Sequence, residues 1–248
     1  MLGLGNIISP MDKKFQPNDI SDCVLALHYG DGLDLSTSDP PKVISWRDQS
    51  GAYANPIFAS QASAGKRPIH NGSHITFDGG NDRMELHEAD LSTDKQITLD
   101  TSSNGWTVVA IYSSDNWDSV GQCITGDPDG STDFIKHKSG ANSFEVKVAN
   151  TLYTLDLDTP SSLTDGQYYS IMVTATAGGT VVLYVDNVAQ SDTETISDTA
   201  DDFDIEQIAA TNNGSLLDGN IKHIIVYDKA LSVAERTQIQ DWAKFYIG

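Results

Sequence analysis

The chain has 248 residues, with 35 acidic against 15 basic side chains, a formal net charge of −20, 39% apolar residues and 20 glycines. It is apolar enough to bury a core, which excludes a disordered chain, and no apolar run is long enough for a membrane-spanning helix. The charge repels phosphate backbones and anionic lipid surfaces, so nucleic acid and membrane partners are set aside in favour of cations and neutral surfaces.

Only six of the acidic residues are Glu, and Asp favours turns and caps where Glu favours helix interiors, so little helix is expected. Residues 1–21 have a texture of their own: uncharged until Asp12, punctuated by Pro10 and Pro17, and without a period. They read as an N-terminal arm ahead of a single domain over residues 22–248. Leu2, Leu4, Ile7 and Ile8 are its candidate docking residues, because a short peptide cannot bury such side chains by itself. With no basic stretch before those apolar residues the arm does not read as a secretory signal, and maturation in a cytoplasm is expected.

From Cys23 onward apolar and polar residues alternate in short runs closed by turn residues, as strands do. The runs are Cys23–Tyr29, Val43–Trp46, His74–Phe77, Met84–Leu86, Gln96–Leu99, Cys123–Thr125, Phe134–Lys138, Phe144–Ala149, Ile205–Ala210 and Ile221–Tyr227. In a longer one, Trp106, Val108, Ala110 and Tyr112 share a face. Tyr169–Thr176 and Thr180–Val185 flank Gly178-Gly179 as a hairpin, and Asp186-Asn187 turns the chain again. Cys23 and Cys123 stand alone, outside any metal-binding spacing, and read as two buried thiols. Ser232 and Glu235 form a capping box for one C-terminal helix, whose Ile239, Trp242, Ala243 and Tyr246 fall on one stripe that should dock on the sheets. Many antiparallel strands and one helix make an all-β sandwich or barrel.

Several segments, in order, resemble the laminin-G-like, or concanavalin A-like, jelly-roll superfamily in the single-domain form of bacterial and phage proteins. They are Leu25-Ala-Leu-His-Tyr-Gly-Asp-Gly32, Trp46-Arg-Asp-Gln-Ser-Gly51, Arg67-Pro68 leading to Ile75-Thr-Phe-Asp-Gly-Gly-Asn-Asp82, Leu183-Tyr-Val-Asp-Asn187, and Gly219–Ser232 before the helix. Asn187 stands where the family usually has Gly. The resemblance, from about Ile20 to Gly248, implies an antiparallel two-sheet jelly-roll sandwich; its members bind sugars, bind proteins or decorate particles, so function rests on sites.

Enzymes of related jelly rolls carry paired carboxylates on one strand. Glu85, Glu88, Glu145, Glu194, Glu206 and Glu235 show no such arrangement, and Glu85-Leu-His-Glu-Ala-Asp90 reads as the loop after a short strand, so no catalytic residue is assigned. There is no Gly-x-Ser-x-Gly elbow and no His-x-x-x-His pair on a helix. His28 and His223 read as structural residues within strands. Asp78, Asn81 and Asp82 gather carboxylates and an amide in one turn, where the resemblance admits a structural calcium; an Asx turn without an ion is the competing reading. Asp115, Asn116, Trp117 and Asp118 place an aromatic ring among polar groups, as a glycan site requires, against the alternative of a Trp folded back over the sheet edge.

The expected function is a non-enzymatic phage virion protein at the particle surface, a capsid decoration or a fibre or tail accessory subunit, assembled in the host cytoplasm. It would dock partly through its arm on other virion proteins or on copies of itself. A glycan-binding adhesion module is the alternative, and a polysaccharide hydrolase comes third.

Overall fold

The computed structural model describes residues 15–117, 121–128, 132–138, 142–158, 163–196, 202–211 and 214–247. Two antiparallel sheets pack face to face, as the jelly-roll reading requires. One has eight strands: Val188–Thr195, Thr180–Val185, Tyr169–Ala175, Trp106–Ser114, Asp218–Tyr227, Ile75–Asp78 and Ile69–His70 in spatial order, with Cys23–His28 also paired to Asp218–Tyr227. The other has nine: Thr151–Asp156, Ser143–Val148, Phe134–His137, Gln122–Gly126, Gln207–Ile208, Met84–His87, Phe58–Ser60, Val43–Arg47 and Leu33–Leu35.

The alternation in the sequence becomes two buried layers. Along Trp106–Ser114, which is buried throughout, Trp106, Val108, Ala110 and Tyr112 join the core between the sheets, where Trp46 and Phe77 also lie. Val109 and Ile111 point the other way, into a second core with Met172, Ile225 and Tyr227 beneath helix α1 (Val233–Ile247). A central strand buried on both faces has no solvent side, and its apolar residues on both faces reflect that. The helix starts as the capping box demands: the Glu235 carboxylate accepts from the Ser232 backbone N–H at 2.8 Å, and the Glu235 N–H is directed at the Ser232 hydroxyl at 3.4 Å. Ile239, Trp242 and Ala243 are buried on its inner stripe.

Both predicted turns form. Asp186 and Asn187 take φ of 47° and 68°, and Gly179 takes 79°. Gly105 enters its strand at φ 66°, where a Cβ would lie 2.0 Å from the Ala175 carbonyl oxygen. Cys23 and Cys123 are free and buried, and burial followed by the Asp48 charge pushes the Cys23 thiol up to about 12.

Two expectations change. The single strand expected over 205–210 is broken into Phe203–Ile205, Gln207–Ile208 and Ala210–Thr211, because Ala209 adopts φ 66° and the chain crosses from a small sheet with Ile97–Leu99 into the nine-stranded one. The arm expected over 1–21 yields its inner end to the sandwich. Ile20 is buried beneath α1, the Tyr227 hydroxyl donates to the Pro17 carbonyl at 2.9 Å, and Asn18 Nδ2 donates to the Gln49 carbonyl at 2.8 Å. Leu2, Leu4, Ile7 and Ile8 lie outside the described residues.

Candidate functional sites: a polar cleft and an apolar groove

The glycan platform expected at Trp117 is corrected by its burial. The residue is 3% exposed, its Nε1 donates to the Thr164 carbonyl at 3.1 Å, and its backbone N–H donates to Asp165 Oδ1 at 2.9 Å. Its ring packs against Tyr112 and His137, with centroids 5.2 and 5.0 Å away, so it closes one end of the core and presents no face to a sugar. Asp115 and Asn116 are tied locally. The Asp115 N–H donates to the Asp218 carbonyl at 2.9 Å, and the Asn116 N–H donates to the Ser114 hydroxyl at 3.1 Å. Asp118 lies outside the described residues.

Asp78, Asn81 and Asp82 do come together in one turn. Asp78 Oδ1 accepts backbone N–H groups from Gly80, Asn81 and Asp82 at 2.9, 3.0 and 3.2 Å, the geometry of an Asx turn. Gly79 makes the turn at φ 64°, with Asp218 packed so close that a Cβ would sit 2.7 Å from it. Burial raises the Asp78 carboxyl, but the three N–H groups and Lys42 outweigh it and hold it below its ordinary value. Asp82 goes the other way, to about 6, through burial first and the Asp78 charge second. Among the described residues no three His, Cys, Asp or Glu side chains converge as a metal would require.

Two other features stand out. On the nine-stranded sheet, Met84 and Ile208 face the core as register partners, which places their neighbours Glu85 and Gln207, also partners, together on the outer face. With Leu86, Asp94, Pro128 and Glu206 they line a polar cleft of about 210 Å³. Arg83 Nε holds Glu85 at 3.2 Å, and His87 Nδ1 lies 3.2 Å from Asp94 Oδ1. Gln207 is 2% exposed, and its Oε1 has no hydrogen-bond partner among the described residues. The lining carboxylates and amide make the cleft rich in acceptors, so it is suited to a donor-rich ligand. The sequence carried a faint signal of it: an amide inside the apolar run Ile205-Glu-Gln-Ile-Ala-Ala210.

The second feature is apolar. Phe15, Gln238, Asp241, Trp242 and Phe245 line an open groove of about 310 Å³ beside α1, and Phe245 is 71% exposed. The helical stripe in the sequence pointed to Trp242 as a packing residue; Phe15 as the opposite wall became visible only in the fold.

A family model described as the concanavalin A-like lectin/glucanases superfamily matches residues 78–235. Among solved structures, Trypanosoma rangeli sialidase is similar with a TM-score of 0.59 and 13% identity, over 92% of this chain and 34% of that one. The botulinum neurotoxin serotype D binding domain is similar with a TM-score of 0.59 and 13% identity, over 91% of this chain and 51% of that one. The chain thus spans a third of the sialidase and half of the toxin domain, and at these identities the likeness is one of fold. No protein of curated function matches the sequence.

Proposed function

The chain belongs to the concanavalin A-like lectin/glucanases superfamily, and from that premise we propose that it is a non-enzymatic attachment subunit, of the kind displayed on a virion surface as a capsid decoration or a fibre or tail accessory protein. The observation that carries the reading is the apolar groove of Phe15, Trp242 and Phe245, an open greasy face on a chain of net charge −20. It adjoins the root of a fourteen-residue segment containing Leu2, Leu4, Ile7 and Ile8. Burying each large aliphatic side chain against a partner yields on the order of 1.5–3 kcal/mol, against roughly 1–2 kcal/mol to order each residue. With four such side chains among fourteen residues that balance is not favourable by itself, so the segment orders only where a preformed groove and backbone pairing help it.

The Glu85 carboxylate of the cleft supports the non-enzymatic part of the reading, since it is held by Arg83. The test is co-sedimentation of a Phe15→Ser, Phe245→Ser variant with particles from the source of the chain. Attachment should weaken by at least about tenfold, the equivalent of about 1.4 kcal/mol. Unchanged attachment by a folded variant contradicts the reading.

A second reading, glycan recognition, is favoured by the carboxylate and amide groups of Glu85, Asp94 and Gln207 that line the polar cleft, because sugar hydroxyls can donate to them. Gln207→Leu fills the same volume without the acceptor. It should abolish any signal the full chain gives on a glycan array, and a signal that survives it belongs to another surface.

A further inference from the structure

Helix α1 covers a pair of histidines that neither proposed role uses. His28 ends the strand Cys23–His28 and is the register partner of His223 on Asp218–Tyr227. They are 8% and 1% exposed, and their Nδ1 atoms lie 3.2 Å apart. From α1, Trp242 stands edge-on to His28 and His223, with ring centroids 5.7 and 4.7 Å away, and Tyr246 lies 4.2 Å from His223. The Nε2 atoms of both histidines and the Nε1 of Trp242 have no hydrogen-bond partner among the described residues.

Two imidazole nitrogens at that distance share one proton. One ring donates, the other accepts, and both are neutral. A further proton must go either to an Nε2 with no acceptor or to the accepting Nδ1, where two N–H groups would then face each other. Either outcome puts charge into a pocket of aromatic rings with no counter-ion in contact among the described residues.

The charged and titratable neighbours do little to relieve it. Lys222, next to His223, adds positive charge; its ammonium lies 3.7 Å over the Tyr168 ring and donates to the Tyr246 carbonyl at 2.6 Å. The Tyr29 hydroxyl is engaged by the Gly72 carbonyl, and on α1 Asp241 and Lys244 pair with each other at 2.8 Å on the solvent side. Among the described residues Asp31 favours a charged His28, but burial outweighs it and holds that ring at about 4. His223 is held well below its ordinary value by burial, then by His28 and Lys222.

We propose that His28 and His223 form an acid-sensitive latch that holds α1 on the sheet while both rings are neutral and releases it when they take up protons. The sign follows from linkage. The released rings titrate near their ordinary value of 6.5, whereas the docked His28 titrates only at about 4, so docking is strongest above pH 6.5 and weakens as pH falls toward 4. For His28 alone that gap is a loss of roughly 300-fold in the docking equilibrium. Release would uncover Ala26, Met172, Ile225 and Tyr227, the apolar face under the helix.

Hydrogen exchange of the full chain, corrected for intrinsic rates, tests the latch at about pH 7.5 and about pH 5. Amides of residues 239–247 should lose at least about tenfold more protection on acidification than those of Trp106–Ser114, and a His28→Asn, His223→Asn variant should lose that difference. Equal protection at both pH values, a loss in step with the whole sandwich, or an acid effect that persists in the double variant would overturn the proposal. Side-chain NMR titration of the unmodified protein decides the matter if the variant does not fold. Both rings should stay neutral at pH 6 while α1 is docked, and an ordinary midpoint for both rings with the helix still in place would also overturn it.

Discussion

Replacing Trp117 with Ala separates a core residue from a surface platform more sharply than any binding assay. The ring is 3% exposed, packs on Tyr112, His137 and Tyr169, and its indole N–H satisfies the Thr164 carbonyl at 3.1 Å. Removing a buried Trp costs about 3–5 kcal/mol through lost transfer energy and the cavity left behind. The orphaned carbonyl adds about 1 kcal/mol unless water reaches it. Trp117→Phe should recover most of the packing and lose chiefly the hydrogen bond, for a cost of about 1–2 kcal/mol. Guanidinium unfolding followed by circular dichroism would read both variants, with the midpoint falling and the slope unchanged. A loss under about 0.5 kcal/mol for the Ala variant would contradict a core position for the ring, because that is the range of a surface side chain.

Three further outcomes follow from charge. Asp82 is raised to about 6 in the fold, so it favours the folded state when protonated and works against it once ionised; Asp82→Asn should stabilise by about 1–3 kcal/mol at pH 7.5, a gain that fades as the pH falls through 6 toward 3.8 in paired thermal melts. Burial raises the Glu235 carboxyl, but its bonds to Lys229 and Ser232 hold it down at about 2; Glu235→Gln should cost about 1 kcal/mol above pH 4.5, and the difference from the parent chain should vanish as pH drops toward 2. With a net charge of −20, self-repulsion should be screened by salt, so the melting temperature should be higher in about 0.3 M sodium chloride than in dilute buffer, and a flat or falling value would contradict this.

The fold was legible where local chemistry and tertiary packing agree. Trp106–Ser114 and Tyr169–Ala175 are rich in β-branched and aromatic residues, Asp186-Asn187 and Gly178-Gly179 tolerate the backbone their turns need, and Ser232 with Glu235 announced the helix. Strands of two or three residues, such as Leu33–Leu35, Phe58–Ser60 and Ile69–His70, are too short to show a period and exist because a neighbouring strand pairs with them. Thr151–Asp156 was hidden by its polar residues, which alternate with Tyr153 and Leu155 on the core side.

The sites were less legible for the same reason. Polar neighbours made Trp117 look exposed, yet its burial is settled by Thr164 and Asp165, far along the chain. The cleft exists only because Glu85 and Gln207 become cross-strand partners, and the groove only because Phe15 meets Trp242 and Phe245. His28 and His223 were recognised as strand residues, but their contact needs the register between two strands from opposite ends of the chain.

Attachment by the end that carries Phe15 and α1 would be visible in electron cryomicroscopy of purified particles from the source of the chain. Density for the sandwich is expected on the particle surface, with the Phe15–Trp242–Phe245 groove at the contact and the Glu85–Gln207 cleft facing solvent. Particles that lack the protein, or a contact formed by the cleft face with the groove exposed, would contradict it.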